Sequence, residues 1–156
     1  MRNLLVIALA LSPLIGNASE ASLKSIGLET TDESGCFIAN GTFVSPTISL
    51  MVAAYDDPKI KNHVAISIIE VAIKSGCDIE APDSVGLSPL NAAILYNKPK
   101  LVSLFLSNGA NPNKAISSPK DYLNGLNSYQ LLEFLSSKGK NLGEIKKLLD
   151  EHKSNA

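Results

Sequence analysis

The 156-residue chain has the length of one domain, with 45% apolar residues, 19% charged residues and a net charge of −1. That balance belongs to a folded globular chain rather than a disordered one, and the lack of a basic excess argues against phosphate-backbone binding. Aromatics at 5% and the absence of tryptophan exclude a base-stacking platform as well, so no nucleic-acid partner is expected.

The first residues read as a leader. Arg2 supplies a positive charge, Leu4 to Leu11 is an unbroken apolar run, and small residues follow in Gly16-Asn17-Ala18 and Ser19-Glu20-Ala21. This is the pattern of a secretory signal, too short to span a bilayer comfortably. Residues 1–21 are therefore expected to be a signal peptide cleaved after Ala18 or Ala21, leaving no stable membrane anchor and a periplasmic or secreted protein. Residues 22–44 are expected to form an N-terminal cap or hairpin.

Ser45-Pro46 opens the first predicted helix, which runs through Ile48, Leu50, Met51 and Ala54. A Ser-Pro pair suits a helix start, because serine caps the first turn and proline needs no hydrogen bond there. The segment Tyr55–His63 is surplus, and Ser67 to Lys74 forms the next helix, ended by Gly76. Ser88-Pro89 repeats the start signal ahead of a short apolar helix that ends near Tyr96-Asn97. Lys98-Pro99 starts a helix from Lys100 to Ser107 with Leu101, Val102, Leu104, Phe105 and Leu106 on a broad apolar face, and Asn108-Gly109 stops it. A degraded unit is expected next, with a short first helix near Asp121 to Gly125 and a second helix through Leu132, Phe134 and Leu135. A final helix, Leu142 to His152, carries one apolar stripe and a charged back, as the end of a stack requires.

The unit Asp83–Asn113 resembles an ankyrin repeat. Ser88-Pro89-Leu90-Asn91-Ala92-Ala93 stands where that family has Thr-Pro-Leu-His-x-Ala, and Gly109-Ala110-Asn111-Pro112-Asn113 stands for its closing Gly-Ala-x-x-Asn. Asn91 replaces the family's histidine, which predicts local weakening but not loss of the fold. The resemblance implies an all-α chain: a short ankyrin-repeat solenoid of about three helix-turn-helix units (45–80, 83–113 and 117–140) with capping segments, the last being a C-terminal helix and tail over 141–156.

Catalytic groups do not converge anywhere in the sequence. His63 and His152 have no partner at metal-ligand spacing, Asp56-Asp57 ahead of Pro58 reads as a turn, and Asp32-Glu33 reads as a solvated loop. Phosphate-loop, nucleophile-elbow and zinc-protease motifs are absent. Asn17-Ala18-Ser19 and Asn40-Gly41-Thr42 fit the glycosylation pattern, which matters only in a eukaryotic host. The expectation is a non-enzyme with no cofactor and no metal.

What the resemblance implies instead is one protein partner held on a concave surface, formed by the hairpin tips and the exposed side of each first helix. In the best-matched unit those positions are Pro82, Ser84, Val85 and Leu87 on the hairpin, and Leu95 and Tyr96 at the end of the first helix. An exported module of this size resembles immunity proteins, which neutralise a toxin by covering its active site. The alternatives are a secreted effector acting on a host protein and a scaffold or chaperone for a periplasmic enzyme.

The two cysteines share a phrase, Ser34-Gly35-Cys36 and Ser75-Gly76-Cys77. If both glycines end repeats, the cysteines are equivalent and lie about 8–10 Å apart, beyond disulfide reach. An oxidising compartment favours a bond. The sequence leaves both outcomes open for Cys36 and Cys77, while two thiolates alone are too few ligands for a metal.

Overall fold

A computed structural model describes residues 23, 24, 27–31, 33–40 and 43–155. The leader, Asp32 and the Gly41-Thr42 part of the second glycosylation pattern lie outside them. The described part begins with a three-stranded antiparallel sheet, β1 (Glu29–Thr30), β2 (Phe37–Asn40) and β3 (Phe43–Pro46), with β2 in the middle. Ile38 pairs with Ser45 and both are buried, whereas Phe37 and Val44 on the alternate positions are exposed. One sheet face thus packs inward and the other meets solvent, as strand alternation dictates. An all-α fold was expected, and this sheet corrects it: the chain is mostly helical with a small sheet.

Six helices follow: α1 (Thr47–Ala53), α2 (Asn62–Lys74), α3 (Pro89–Leu95), α4 (Pro99–Ser107), α5 (Ser128–Ser137) and α6 (Gly143–Asn155). Pro46 closes β3, and α1 begins one residue later than the Ser-Pro phrase suggests, without a side-chain cap bond. At α3 the same phrase works as expected: Ser88 Oγ accepts from Asn91 N and Pro89 is the first helical residue. The surplus Tyr55–His63 divides between a turn closed by the Ile60 N–H on Asp57 O (2.9 Å) and a longer α2.

The first helices form one row, α1 on α3 and α3 on α5. The second helices lie behind, with α2 on α1, α4 on α3 and α6 on α4. This placement changes the reading of the third unit. Asp121–Gly125 is a turn, not a helix, and α5 is a first helix rather than a second one. The local reason is a capping box: Asn127 Oδ1 accepts from Gln130 N (3.0 Å) while Gln130 Oε1 accepts from Asn127 N (2.9 Å). It marks the same helix start that Ser88 marks one unit earlier. The segment between is a long finger, closed where Ile116 N–H donates to Leu126 O and Gly125 N–H to Ile116 O, both at 2.8 Å.

The core runs through both rows. Ile94, Leu101, Phe105 and Leu131 are fully buried, and burial of each such side chain contributes about 1.5–3 kcal/mol. Asn91 is buried in the first-helix row, where its Oδ1 accepts from Ser128 Oγ at 2.7 Å. Its bond ties one helix pair to the next rather than serving its own turn. Among the described residues, no helix is long and apolar enough to cross a membrane.

Gly76 (φ +83°) and Gly109 (φ +86°) end α2 and α4 in the left-handed conformation, and the next N–H in each case donates back into the helix, Cys77 to Ala72 O and Ala110 to Phe105 O. Gly35 does not share this role: it lies in the turn between β1 and β2, so the two Ser-Gly-Cys phrases are not equivalent. That difference brings the cysteines within reach. Cys36 and Cys77 are disulfide-bonded with Cα atoms 5.2 Å apart, joining the sheet to the end of α2.

Candidate partner-binding face

The finger ahead of α3 is built on Asp83. Its Oδ1 accepts from Val85 N (2.8 Å) and Leu87 N (2.9 Å), and its own N–H donates to Leu87 O (2.9 Å). Gly86 (φ +88°) sits so close to the next finger that a Cβ there would fall on the Ser117 carbonyl. Ser118 Oγ donates to Val85 O at 2.6 Å, so the two fingers are locked together.

This geometry divides the six expected contact residues. Pro82 and Ser84 are exposed on the finger, and Val85 is half-buried against its neighbour. Leu87 is 1% exposed and belongs to the core. This corrects its assignment as a contact residue: the two bonds to Asp83 turn the base of the finger inward and carry the side chain with it. Leu95 is half-buried and Tyr96 is 43% exposed at the far end of α3. A seven-residue helix, about 10 Å long, separates them from the finger residues. The four apolar side chains therefore do not form one exposed patch.

The structure presents a different aromatic feature. Tyr122, on the long finger, is 61% exposed, and its ring stacks on Phe134 of α5 with centroids 6.1 Å apart. Lys138 Nζ lies over the Phe134 ring, 5.7 Å from its centroid. The flank that Phe134 occupies follows from helix geometry. Tyr129 lies under Lys153 of α6, so that side of α5 faces the second-helix row. Phe134, five residues on, is turned about 140° away from it, toward the fingers. Alignment of the caps Ser88 and Asn127 puts Leu95 in the place of Phe134. The finger-side flank of the first-helix row thus runs from Leu95 to Phe134, with Tyr122 over its end.

The opposite ends of the helix pairs are closed by polar links. Lys98 pairs with Asp56 and lies 5.8 Å from the Tyr55 ring centroid, Lys140 Nζ donates to Leu95 O (2.8 Å), and Asn97 Nδ2 donates to Asn141 O (3.3 Å). These tie the α1–α2, α3–α4 and α5–α6 loops side by side. The surplus segment borders a hollow of about 580 Å³ with Asp56, Asp57, His63 and Lys100 on its rim. Among the described residues, no group of three or more His, Cys, Asp or Glu side chains could hold a metal ion.

Residues 85–114 match the ankyrin-repeat family model. That stretch is similar to one ankyrin repeat. The matched stretch covers the end of the Asp83 finger, α3, α4 and the Gly109 cap, the part in which the start and stop signals are complete. Searches of curated proteins and of solved structures found no match. Ankyrin repeats typically serve as protein-interaction modules. Sequence reading missed Tyr122 and Phe134 because it placed them in a helix and on a buried face; the Asn127-Ser128-Tyr129-Gln130 capping box was the signal that relocates both.

Proposed function

We propose that the chain is an exported, non-enzymatic binding module, a short ankyrin-repeat solenoid that holds one protein partner against the finger-side flank of α3 and α5. The observation that carries this reading is the exposed Tyr122 ring seated on Phe134 beside the ankyrin repeat. Tyrosine offers a rigid apolar ring with a polar tip, and such residues dominate the energetics of protein interfaces. Export is supported by two independent features, the leader pattern in residues 2–21 and the bond between the only two cysteines.

Within this reading the partner is a toxin, which the module neutralises by covering its active site. A rigid aromatic anchor on a broad face suits occlusion, which requires affinity and area but no chemistry. The test is protection: cells lacking the protein are challenged with the producing strain, and the wild-type chain or the Tyr122→Asp variant is restored with its leader. Protection by the wild type and its loss in the variant support the proposal. Protection by both variants equally removes the binding face from the account, and recovery of the protein inside a host cell replaces immunity by an effector role.

A further inference from the structure

The second-helix side of the stack holds a cleft of about 570 Å³, between the Gly109–Asn113 turn, the start of α5 and the last turn of α6. Its polar groups point one way chemically. Asn111 Oδ1 accepts from Asn113 N (2.9 Å), and Asn127 and Gln130 accept each other's backbone N–H. A backbone donor fixes which amide atom is the oxygen, so each of these three side chains keeps its NH2 group for another use. Tyr129 adds a phenol. Burial, and then the charge of Asp150, push its pKa above the ordinary 10.0, so it stays a donor at neutral pH.

The charges around the cleft are unevenly spent. Asp150 is paired with Lys146 (2.6 Å), Glu151 with Lys147 (3.7 Å) and Glu80 with Lys114 (3.6 Å). Lys153 lies over the Tyr129 ring at 5.6 Å and has no carboxylate partner among the described residues. The cleft therefore presents amide donors, a phenol, the His152 imidazole and one ammonium whose charge is not cancelled. We infer that it binds a carboxylate, presented by an acidic side chain of the partner protein. A carboxylate has only acceptors, and its two oxygens take several N–H donors at once. The carbonyl end of α6 lies at the same cleft and opposes an anion, so the contact is an auxiliary one that adds to the main face rather than a tight anion pocket.

This inference rests on the reading of the chain as a partner-binding module, but its test needs no partner, so the two can fail separately. The full chain with its disulfide intact is titrated, with amide chemical shifts as the readout, against a capped tetraglutamate peptide, the matching tetraglutamine peptide and inorganic phosphate. The expected result is a shift of residues 111, 113, 127–130 and 152–153 with tetraglutamate alone. Gln130→Glu keeps the capping box, because its carboxylate still accepts from Asn127 N, yet replaces a donor with a like charge; it should weaken binding about tenfold or more. Lys153→Gln should weaken it about tenfold. Equal shifts with tetraglutamine, shifts with phosphate alone, wild-type binding by Gln130→Glu, or no shift at about 10 mM tetraglutamate would each overturn the inference.

Discussion

The α3–α4 pair and the N-terminal block of sheet and α1 solve the same problem in different ways. Helix α3 lies between α1 and α5, and Pro89 to Ile94 are all buried. Its position is set by a cap on Ser88, an inter-pair bond from Ser128 to Asn91 and a glycine stop at Gly109. The sheet, among the described residues, packs only on one side; Phe37 and Val44 on its outer face are exposed, and so is Phe43 at the hairpin end of its inner face. It is held by Ile38, by Thr47 Oγ1 donating to Gly35 O (2.6 Å), and by the disulfide. Where neighbours supply burial on both sides, periodic sequence signals suffice. Where they do not, a covalent link replaces them.

Removal of that link should have the largest effect. The Cys36→Ser, Cys77→Ser double variant opens a loop of 41 residues, and the chain-entropy relation puts the loss near 4 kcal/mol. Urea unfolding measures it, and hydrogen exchange should show β2 and β3 losing protection before α3 and α4. A loss under about 1 kcal/mol would mean that packing alone holds the sheet.

Next in size is the contact between fingers. Gly86→Ala and Gly76→Ala impose the same left-handed strain, since φ is +88° and +83°, but only the first meets a neighbouring backbone. Expected losses are about 3 kcal/mol for Gly86→Ala and about 1 kcal/mol for Gly76→Ala. Equal losses in thermal unfolding would show that the fingers are not locked. Asn91→Ala leaves the fully buried Ser128 hydroxyl without its acceptor, for a loss of about 2 kcal/mol in the same assay. Smallest is Asp150→Asn, which breaks an exposed i,i+4 pair with Lys146 and should cost about 0.3–0.5 kcal/mol.

The central pair was legible in sequence because its signals are local and complete: Ser88-Pro89 opens, Asn108-Gly109 closes, and the apolar run between them fits a helix hairpin. The sheet was not, since two- and four-residue strands carry too short an alternation to separate from a loop. The third unit is displaced by one helix because the Asp121–Gly125 segment reads as a first helix, while the stronger start signal is the Asn127–Gln130 capping box. Of the expected contact residues, Pro82, Ser84 and Tyr96 are exposed. Leu87 could not be assigned from sequence, because its inward turn depends on which backbone groups Asp83 holds.

The proposed binding face is most directly tested by site-specific photo-cross-linking in the producing cells. A photoreactive residue replaces Tyr122 on the finger side, or Lys147 on the exposed outer side of α6. The account predicts that position 122 captures one partner protein and that position 147 captures none. Capture of the same protein from position 147, with none from 122, would contradict it.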